Sequence, residues 1–306
     1  MSDYGIVTYS LREAGSQPRA GLLCNGDVID VANGLGQPGY ASVAGLLAAW
    51  NEAEPLLDKL AADAQAPRVP VSSVHVLAPV PAPLAIYCIG ANYRDHVDNM
   101  ARARGLPPEP DPRDLGMPPW FFLKSGHCVV GPDADVAMSG DKLDWEPELV
   151  AVIGRRARNV SAEAALGCVA GYTIANDLSA RDRIFRKNGN PQSPFFFDFV
   201  AQKSFDGACP LDPAIVPARR VPDPHALGIK LWVNQTVRVD SSSAQMIYPI
   251  GAQIAHLSSF VTLHPGDLVL TGTPAGAGAE TDEYLKVGDV TRIEIEGLGT
   301  LRTRLV

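Results

Sequence analysis

Short apolar segments rich in strand-forming residues recur along the chain and constrain its fold more than any other feature. They outnumber the two longer helical segments, at 42–63 and 250–261, and do not alternate regularly with them. That pattern disfavours a doubly wound parallel sheet. The sequence therefore predicts a β-rich α+β fold. The segments are 84–90, 148–153, 169–175, 227–233, 267–271 and 290–296.

Residues 1–80 are predicted to form a small N-terminal α+β domain. Asn25-Gly26 separates two strand-forming segments, and this dipeptide is typical of a two-residue hairpin turn. Prolines then cluster in residues 64–83, which is typical of a linker. The sequence thus predicts a domain boundary near residue 80 and a larger domain over residues 81–306.

The charge balance and the cysteines narrow the class of protein. The 306 residues include 26 Lys plus Arg and 34 Asp plus Glu, so the formal net charge is −8. Such an acidic chain is not expected to bind phosphate backbones non-specifically, and no apolar run is long enough to span a bilayer. The N-terminus has no secretory signal, and five scattered cysteines without a CxxC pair are expected to be reduced thiols. We therefore expect a cytoplasmic protein with no nucleic-acid or membrane partner.

Two glutamates stand directly before the apolar segment 149–153. Side chains two residues apart on an extended chain point to the same side, so Glu146 and Glu148 present two carboxylates to one place. Adjacent carboxylates repel each other, and a hard divalent cation between them removes that repulsion. The alternative to a metal site is an exposed edge strand, which can carry the same Glu-x-Glu pattern. Asp177, just after the segment 169–175, is either a functional carboxylate or the cap of the next turn.

Three further segments have both a functional and a structural interpretation. His96 follows the strand-forming segment 84–90, and histidine is suited to proton transfer near neutral pH, although it also serves in structural turns. The glycine-rich turn 271–278 can bind an anion through its backbone N–H groups, but it is neither a Walker A loop nor a dinucleotide-binding fingerprint. The proline-rich segment 102–119 is either a lid over a site or a passive surface loop.

Six blocks in a fixed order resemble the fumarylacetoacetate hydrolase family, in its bacterial acylpyruvate hydrolase and isomerase-like branch. The resemblance covers about residues 84–306. It implies a mixed β-sandwich roll for the C-terminal domain, a small variable N-terminal domain and a homodimer. The blocks are IGANYRDH (89–96), FFLK (121–124), DWEPELVAVIG (144–154), GYTIANDLSARD (171–182), KSFDGACP (203–210) and TGTPAGAG (271–278).

The resemblance also implies roles for individual residues. The metal carboxylates of the family fall on Glu146, Glu148 and Asp177, and the implied ion is Mg²⁺ or Mn²⁺. Lys203 matches the lysine that faces the substrate and stabilises negative charge, and His96 matches a histidine that orients or activates water. The other predicted site residues are the catalytic Arg181 and the substrate-binding Thr273, Tyr93 and Lys124.

The acid–base half of this site departs from the family pattern. The family commonly has a glutamate three residues after the histidine, where this chain has Asn99. We therefore expect another acid beside His96, with Asp98 or Glu109 as candidates. Ile184 stands where a glutamine is common, and Ala91 replaces the usual arginine before the Asn-Tyr pair.

The resemblance implies a metal-dependent hydrolase that cleaves a C–C bond in a 2,4-diketo acid, such as fumarylpyruvate or maleylpyruvate, in aromatic catabolism. The metal and Lys203 would stabilise the enolate that forms. One alternative is an isomerase or decarboxylase of the homoprotocatechuate type. Others are a lyase or dehydratase of a sugar-derived keto acid, and a non-catalytic metal-binding protein. In each enzymatic case residues 97–119 are expected to close over the ligand.

Overall fold

Two large β-sheets, two small sheets of two strands each (β10-β13 and β14-β8) and seven α-helices build the chain in the computed structural model, which describes residues 4–306. Short 3₁₀ turns join many of these elements, and one of them, Gly278–Glu280, lies at the site described below. The strands are β1 Gly5–Leu11, β2 Arg19–Cys24, β3 Asp27–Asp30, β4 Arg68–Pro70, β5 Val74–Leu77, β6 Ile86–Ile89, β7 Phe121–Lys124, β8 Val129–Val130, β9 Asp135–Val136, β10 Leu143–Asp144, β11 Pro147–Ile153, β12 Val169–Asn176, β13 Ser179–Ala180, β14 Cys209–Pro210, β15 Ala214–Pro217, β16 Gly228–Val233, β17 Thr236–Ser242, β18 Leu268–Leu270, β19 Val290–Ile295 and β20 Gly299–Leu305. The helices are α1 Val31–Leu35, α2 Val43–Ala48, α3 Trp50–Ala62, α4 Arg94–Ala103, α5 Ala162–Ala165, α6 Phe199–Lys203 and α7 Ile250–Phe260.

The larger sheet has the strand order β4-β3-β2-β1-β15-β12-β11-β18-β6-β7, and β5 also pairs with β1. Its pairs are antiparallel except for β18 and β6, which run parallel. The second sheet has the order β17-β16-β19-β20-β9. These strand-rich sheets confirm the predicted α+β class, with the mixed strand directions expected for the roll.

Strand β11 lies inside the larger sheet and is buried on both faces, which explains its continuous apolar sequence. Val150 and Val152 pack in the same core cluster as Trp50 of α3. Leu149 and Ile153 alternate with them and join the core beneath the second sheet. The start of β11, where the two glutamates stand, is therefore held rigidly between two cores.

The N-terminal residues form the hairpin that the sequence predicts. Asn25 and Gly26 adopt positive φ angles of 50° and 86° between β2 and β3, as a type I′ turn requires. Strand β1 then pairs with β15, so this hairpin extends the larger sheet rather than forming a separate one. Helix 42–63 is divided at Ala49 into α2 and α3. The boundary near residue 80 falls between β5 and β6, and independent folding of the two parts stays a prediction.

The cysteines are reduced thiols, as their scattered positions predict. All five cysteines are free and buried. Among the described residues, no helix is both long and apolar enough to cross a membrane.

Candidate active site

Three carboxylates meet where β11 begins and β12 ends. The two strands are antiparallel neighbours with Pro147 opposite Asn176, so Glu146 and Glu148 come next to Asp177. The Asp177 N–H donates to the Glu146 carbonyl at 2.8 Å, which fixes this juxtaposition in the backbone. One oxygen from each of the three buried side chains lies within 4.8 Å of the others.

Two lysines and an arginine surround this cluster. The Lys203 Nζ donates to Glu146 Oε2 at 2.5 Å and to Asp177 Oδ2 at 2.7 Å. Lys124 Nζ donates to the other Asp177 oxygen at 2.5 Å. The guanidinium of Arg181 pairs with Asp144 at 2.9 Å and also contacts Glu146. Burial alone would raise the pKa of Glu146, but Arg181 and Lys203 outweigh burial and hold the pKa below its usual range.

Glu148 is the carboxylate left without such a cation. It accepts a hydrogen bond from the Gly272 N–H at 2.7 Å, and within residues 4–306 no Lys, Arg or His lies at ion-pair distance from it. Burial raises the pKa of Glu148 well above its usual range, and the charges of Asp177 and Glu146 raise the pKa further. Glu148 therefore favours its neutral form unless a further cation lies beside it, and three hard oxygen donors in one place fit a divalent cation.

Lys203 keeps its charge in this buried place. Burial alone would lower the pKa of Lys203, but Asp177 and Glu146 outweigh burial and raise the pKa. The ring of Phe122 also lies beneath the ammonium, with 5.0 Å between Nζ and the ring centroid. Because an ammonium has three donors and two are taken by carboxylates, one donor remains for a substrate oxygen.

A cavity of about 580 Å³ opens onto the carboxylate cluster. It lies beneath the segment 104–120, which has no regular secondary structure. Hydrogen bonds tie that segment to neighbouring elements: Arg94 Nη1 donates to the Glu109 carbonyl at 3.0 Å, the Tyr248 hydroxyl donates to the Met117 carbonyl at 2.5 Å, and the Gly90 N–H donates to the Trp120 carbonyl at 3.0 Å. The predicted site residues that line the cavity are His96, Glu146, Glu148, Asp177, Arg181, Lys203 and Thr273.

The acid beside His96 is Glu280, not Asp98 or Glu109. His96 Nδ1 lies 2.6 Å from Glu280 Oε1, although 184 positions separate the two residues. Asn99 Nδ2 donates to the second oxygen of Glu280 at 2.8 Å, so it orients the carboxylate instead of supplying one. Asp98 sits further along α4 and faces Arg94 at 3.5 Å. Glu280 ends the 3₁₀ turn just after the glycine-rich block, which is the one signal for it in the sequence.

Glu280 is ionised although it is largely buried. Burial alone would raise its pKa, but hydrogen bonds from His96 and Asn99 outweigh burial and hold the pKa of Glu280 below its usual range. The Gly276 N–H donates to the same oxygen as Asn99, at 2.9 Å. His96 therefore faces a fixed anion through Nδ1, which leaves Nε2 as its free ring nitrogen.

Tyr93 and Lys124, which were expected to bind substrate, lie behind the cavity wall, and their role stays a prediction. Tyr93 is fully buried and packs near Gly272 behind the glycine-rich turn. The side chain of Lys124 is also buried, and its ammonium reaches Asp177 from the protein interior. Neither residue lines the cavity, whereas Gln202 and Trp120, which the sequence did not single out, do.

Comparison with known proteins decides the family. Residues 85–306 match the family description "Fumarylacetoacetate (FAA) hydrolase C-terminal". The chain belongs to this family. It is 39% identical over 239 residues to oxaloacetate tautomerase fahd2, mitochondrial, of Xenopus laevis, covering 77% of this chain and 69% of that protein.

Two solved structures of family members superpose on almost the whole chain. The fumarylacetoacetate hydrolase of Exiguobacterium antarcticum matches with a TM-score of 0.76 and 30% identity over 98% of this chain and 99% of its own. The maleylpyruvate hydrolase of Sphingobium sp. SYK-6, in complex with manganese (II) ion and pyruvate, has a TM-score of 0.74 and 26% identity, with 98% of each chain covered. The fold and the family are therefore shared by hydrolases and tautomerases.

Proposed function

We propose that the chain is a divalent-metal-dependent enzyme that interconverts the keto and enol forms of a 2-oxo acid with a second carbonyl at C4. One observation carries the proposal: three buried carboxylates, Lys203 and His96, which Glu280 contacts from behind, line one cavity. Proton abstraction between two carbonyls requires a base and a stabilised oxyanion, and this cavity offers both.

Glu146, Glu148 and Asp177 would hold the cation, which we propose to be Mg²⁺ or Mn²⁺. When bound, such a cation offsets their negative charge and polarises the oxygens of an acid substrate. The juxtaposition of the three carboxylates and the manganese in the maleylpyruvate hydrolase complex both support this assignment.

The protein's own groups account for the proton transfer. His96 Nε2 takes a proton from C3, and the electron pair of that C–H bond moves into a C2–C3 double bond as the C2 oxygen becomes negative. The free donor of Lys203 stabilises that oxygen, and Glu280 stabilises the imidazolium that forms. Return of the proton to the C2 oxygen completes the enol.

Hydrolysis of the C3–C4 bond is the second candidate function. The His96–Glu280 pair favours it, because a base of this kind can also activate a water for attack on the C4 carbonyl. That attack breaks the C3–C4 bond, and the products are pyruvate and a carboxylic acid. Acylpyruvates such as fumarylpyruvate and maleylpyruvate are the proposed substrates in this case, with aromatic catabolism as the setting.

A substrate panel distinguishes the two candidates. Purified protein with Mg²⁺ or Mn²⁺ is given acetylpyruvate, fumarylpyruvate, maleylpyruvate and the enol form of oxaloacetate, and enol absorbance and pyruvate are followed together. We expect enol decay above the buffer rate without pyruvate; pyruvate from an acylpyruvate would instead establish hydrolysis. Neither change with any acid would refute both functions. The same assays on Glu148→Gln test the carboxylate cluster. Glu163→Gln is the control, because Glu163 is an exposed carboxylate on α5.

The edge of the larger sheet, the net charge and the thiols support proposals on assembly, partners and location. We propose a homodimer, because β7 lies at the edge of the larger sheet and its Leu123 is 59% exposed. Light scattering after gel filtration tests the homodimer.

The acidic net charge supports the absence of a nucleic-acid partner. We propose a cytoplasmic location from the free, buried thiols, and cell fractionation decides between that and the mitochondrial location in the name of the frog relative.

A further inference from the structure

The side chain of Gln202 carries an unpaired amide on the wall of the cavity. The residue is 3% exposed, and the space that it lines is the cavity over the carboxylate cluster. Its backbone N–H donates to the Asp198 carbonyl at 3.1 Å, but its side-chain amide has no hydrogen-bond partner within residues 4–306. A buried carboxamide without partners costs free energy, and a polar group of a ligand in the cavity would supply one.

Helix α6 directs this amide and the Lys203 ammonium into the same cavity. Phe199, Gln202 and Lys203 all line it, at positions i, i+3 and i+4 of one helix face. In the described part of the chain Gln202 is the one carboxamide on the cavity wall, since Ile184, which stands where a glutamine is common, is an apolar part of that wall. Helix α6 thus offers a ligand a charged donor, a neutral amide and an aromatic ring.

A neutral amide selects a different ligand group from the one that an ammonium selects. Its N–H donates well to a carbonyl oxygen, but it cannot offset the charge of a carboxylate that is removed from water. The Cα atoms of adjacent residues are about 3.8 Å apart, so Gln202 and Lys203 suit two acceptors that are close together on one ligand. The C2 and C4 oxygens of a 2,4-dioxo acid are such a pair.

We propose that the Gln202 amide donates through Nε2 to the C4 carbonyl oxygen of the substrate and so determines the preference for an uncharged oxygen at C4. A ligand with a methylene group at C4 would displace water from the amide without replacing its hydrogen bond, and would therefore bind less tightly. This inference rests on the proposed function, because the 2-oxo end is placed at the carboxylate cluster and Lys203.

Binding of two unreactive acids tests the proposal without turnover. N-acetyloxamate and N-ethyloxamate both have a 2-oxo acid head and a nitrogen in place of C3, so neither has the C3–H bond that the proposed reaction breaks. They differ at position 4, which is a carbonyl in the first and a methylene group in the second. Titration calorimetry with Mg²⁺ measures both. We expect the wild-type protein to bind N-acetyloxamate about 3- to 10-fold more tightly, which is the range for a neutral hydrogen bond.

Variants assign that preference to Gln202. Gln202→Met keeps the length of the side chain and removes its donor, so it should abolish the preference without weakening the binding of N-ethyloxamate, which also shows that the site is intact. Gln202→Ala should have the same effect. Gln192→Met is the matched control, because Gln192 is exposed on the segment before α6 and lies outside the cavity wall. Equal wild-type affinities, a preference that survives in Gln202→Met, equal weakening of both acids, or the same loss in the control would each overturn the proposal.

The binding result is separable from the proposed function. A preference for N-acetyloxamate that Gln202→Met abolishes, in a protein that converts no diketo acid, would sustain the role of Gln202 and refute the activity. Turnover of diketo acids by a protein that binds the two oxamates equally would sustain the activity and refute the role of Gln202.

Discussion

Glu280→Gln is the most informative single change at the site, because it alters the state of His96 without changing the shape of the side chain. Oε2 of Glu280 accepts from Asn99 at 2.8 Å and from the Gly276 N–H at 2.9 Å. Both neighbours are donors, so the amide oxygen of the glutamine must take this position. Its NH₂ group then faces His96 Nδ1 and donates to it.

That reversal places the imidazole proton on Nε2, the nitrogen that would act as base. A ring with a protonated Nε2 and no carboxylate behind it cannot take a proton from the substrate. Loss of general-base catalysis costs about 10²- to 10⁴-fold in rate, or about 3–5 kcal/mol of transition-state stabilisation. We therefore expect kcat of Glu280→Gln to fall by that factor, with KM changed much less because the carboxylate cluster is intact.

Steady-state kinetics with the best substrate of the panel measures the effect. Glu283→Gln is the matched control, since Glu283 lies three positions away, is half exposed and pairs with Arg238. Calorimetric Mn²⁺ binding by each variant checks that the metal site persists. A Glu280→Gln protein that binds Mn²⁺ normally and keeps kcat within about threefold of wild type would refute the role of His96 and Glu280 as base.

Three other perturbations test separate parts of the structure. Glu148→Gln should weaken Mg²⁺ or Mn²⁺ binding about 10-fold or more by calorimetry, whereas Glu163→Gln should not; equal affinities would exclude this metal site. Asp212→Asn removes a carboxylate whose pKa burial raises to about 7. Because that pKa in the folded state exceeds the pKa in the unfolded state, the free energy of unfolding of the wild type falls as the pH rises from about 4 to 7. In urea unfolding, the variant should be up to about 4 kcal/mol more stable than the wild type at pH 8 and equally stable at pH 4. A Cβ at Gly90 would overlap the Trp120 ring, so Gly90→Ala should cost about 1–3 kcal/mol alone but nothing further in a Trp120→Ala background; additive losses would contradict this contact.

Local sequence patterns predict much of the fold. The continuous apolar segment of β11 and the Asn25-Gly26 turn each follow from rules that act within about ten residues. The pairing of Glu146 with Glu148 has the same origin, because the pleat directs alternate side chains to one side. Asp177 lies beside these glutamates only because β11 pairs with β12. The local sequence of neither strand predicts that pairing.

The orientation of the lysines illustrates the limit of such rules. Lys124 and Lys203 each end a short element and each reach Asp177. The family resemblance gave both a place at the substrate, but the structure puts one ammonium in the cavity wall and the other behind the carboxylate. The difference arises from the elements packed around each lysine.

By itself, the sequence determined the strand-rich class, the hairpin, the two adjacent glutamates and, through its ordered blocks, the family. The tertiary structure decided that Glu280 faces His96, that Tyr93 and Lys124 are interior, and that Arg94 and the segment 104–120 border the cavity. The reason is physical: local sequence fixes the side of its own segment to which a side chain points. What that side chain then meets is set by long-range packing, which here brings together residues 184 positions apart.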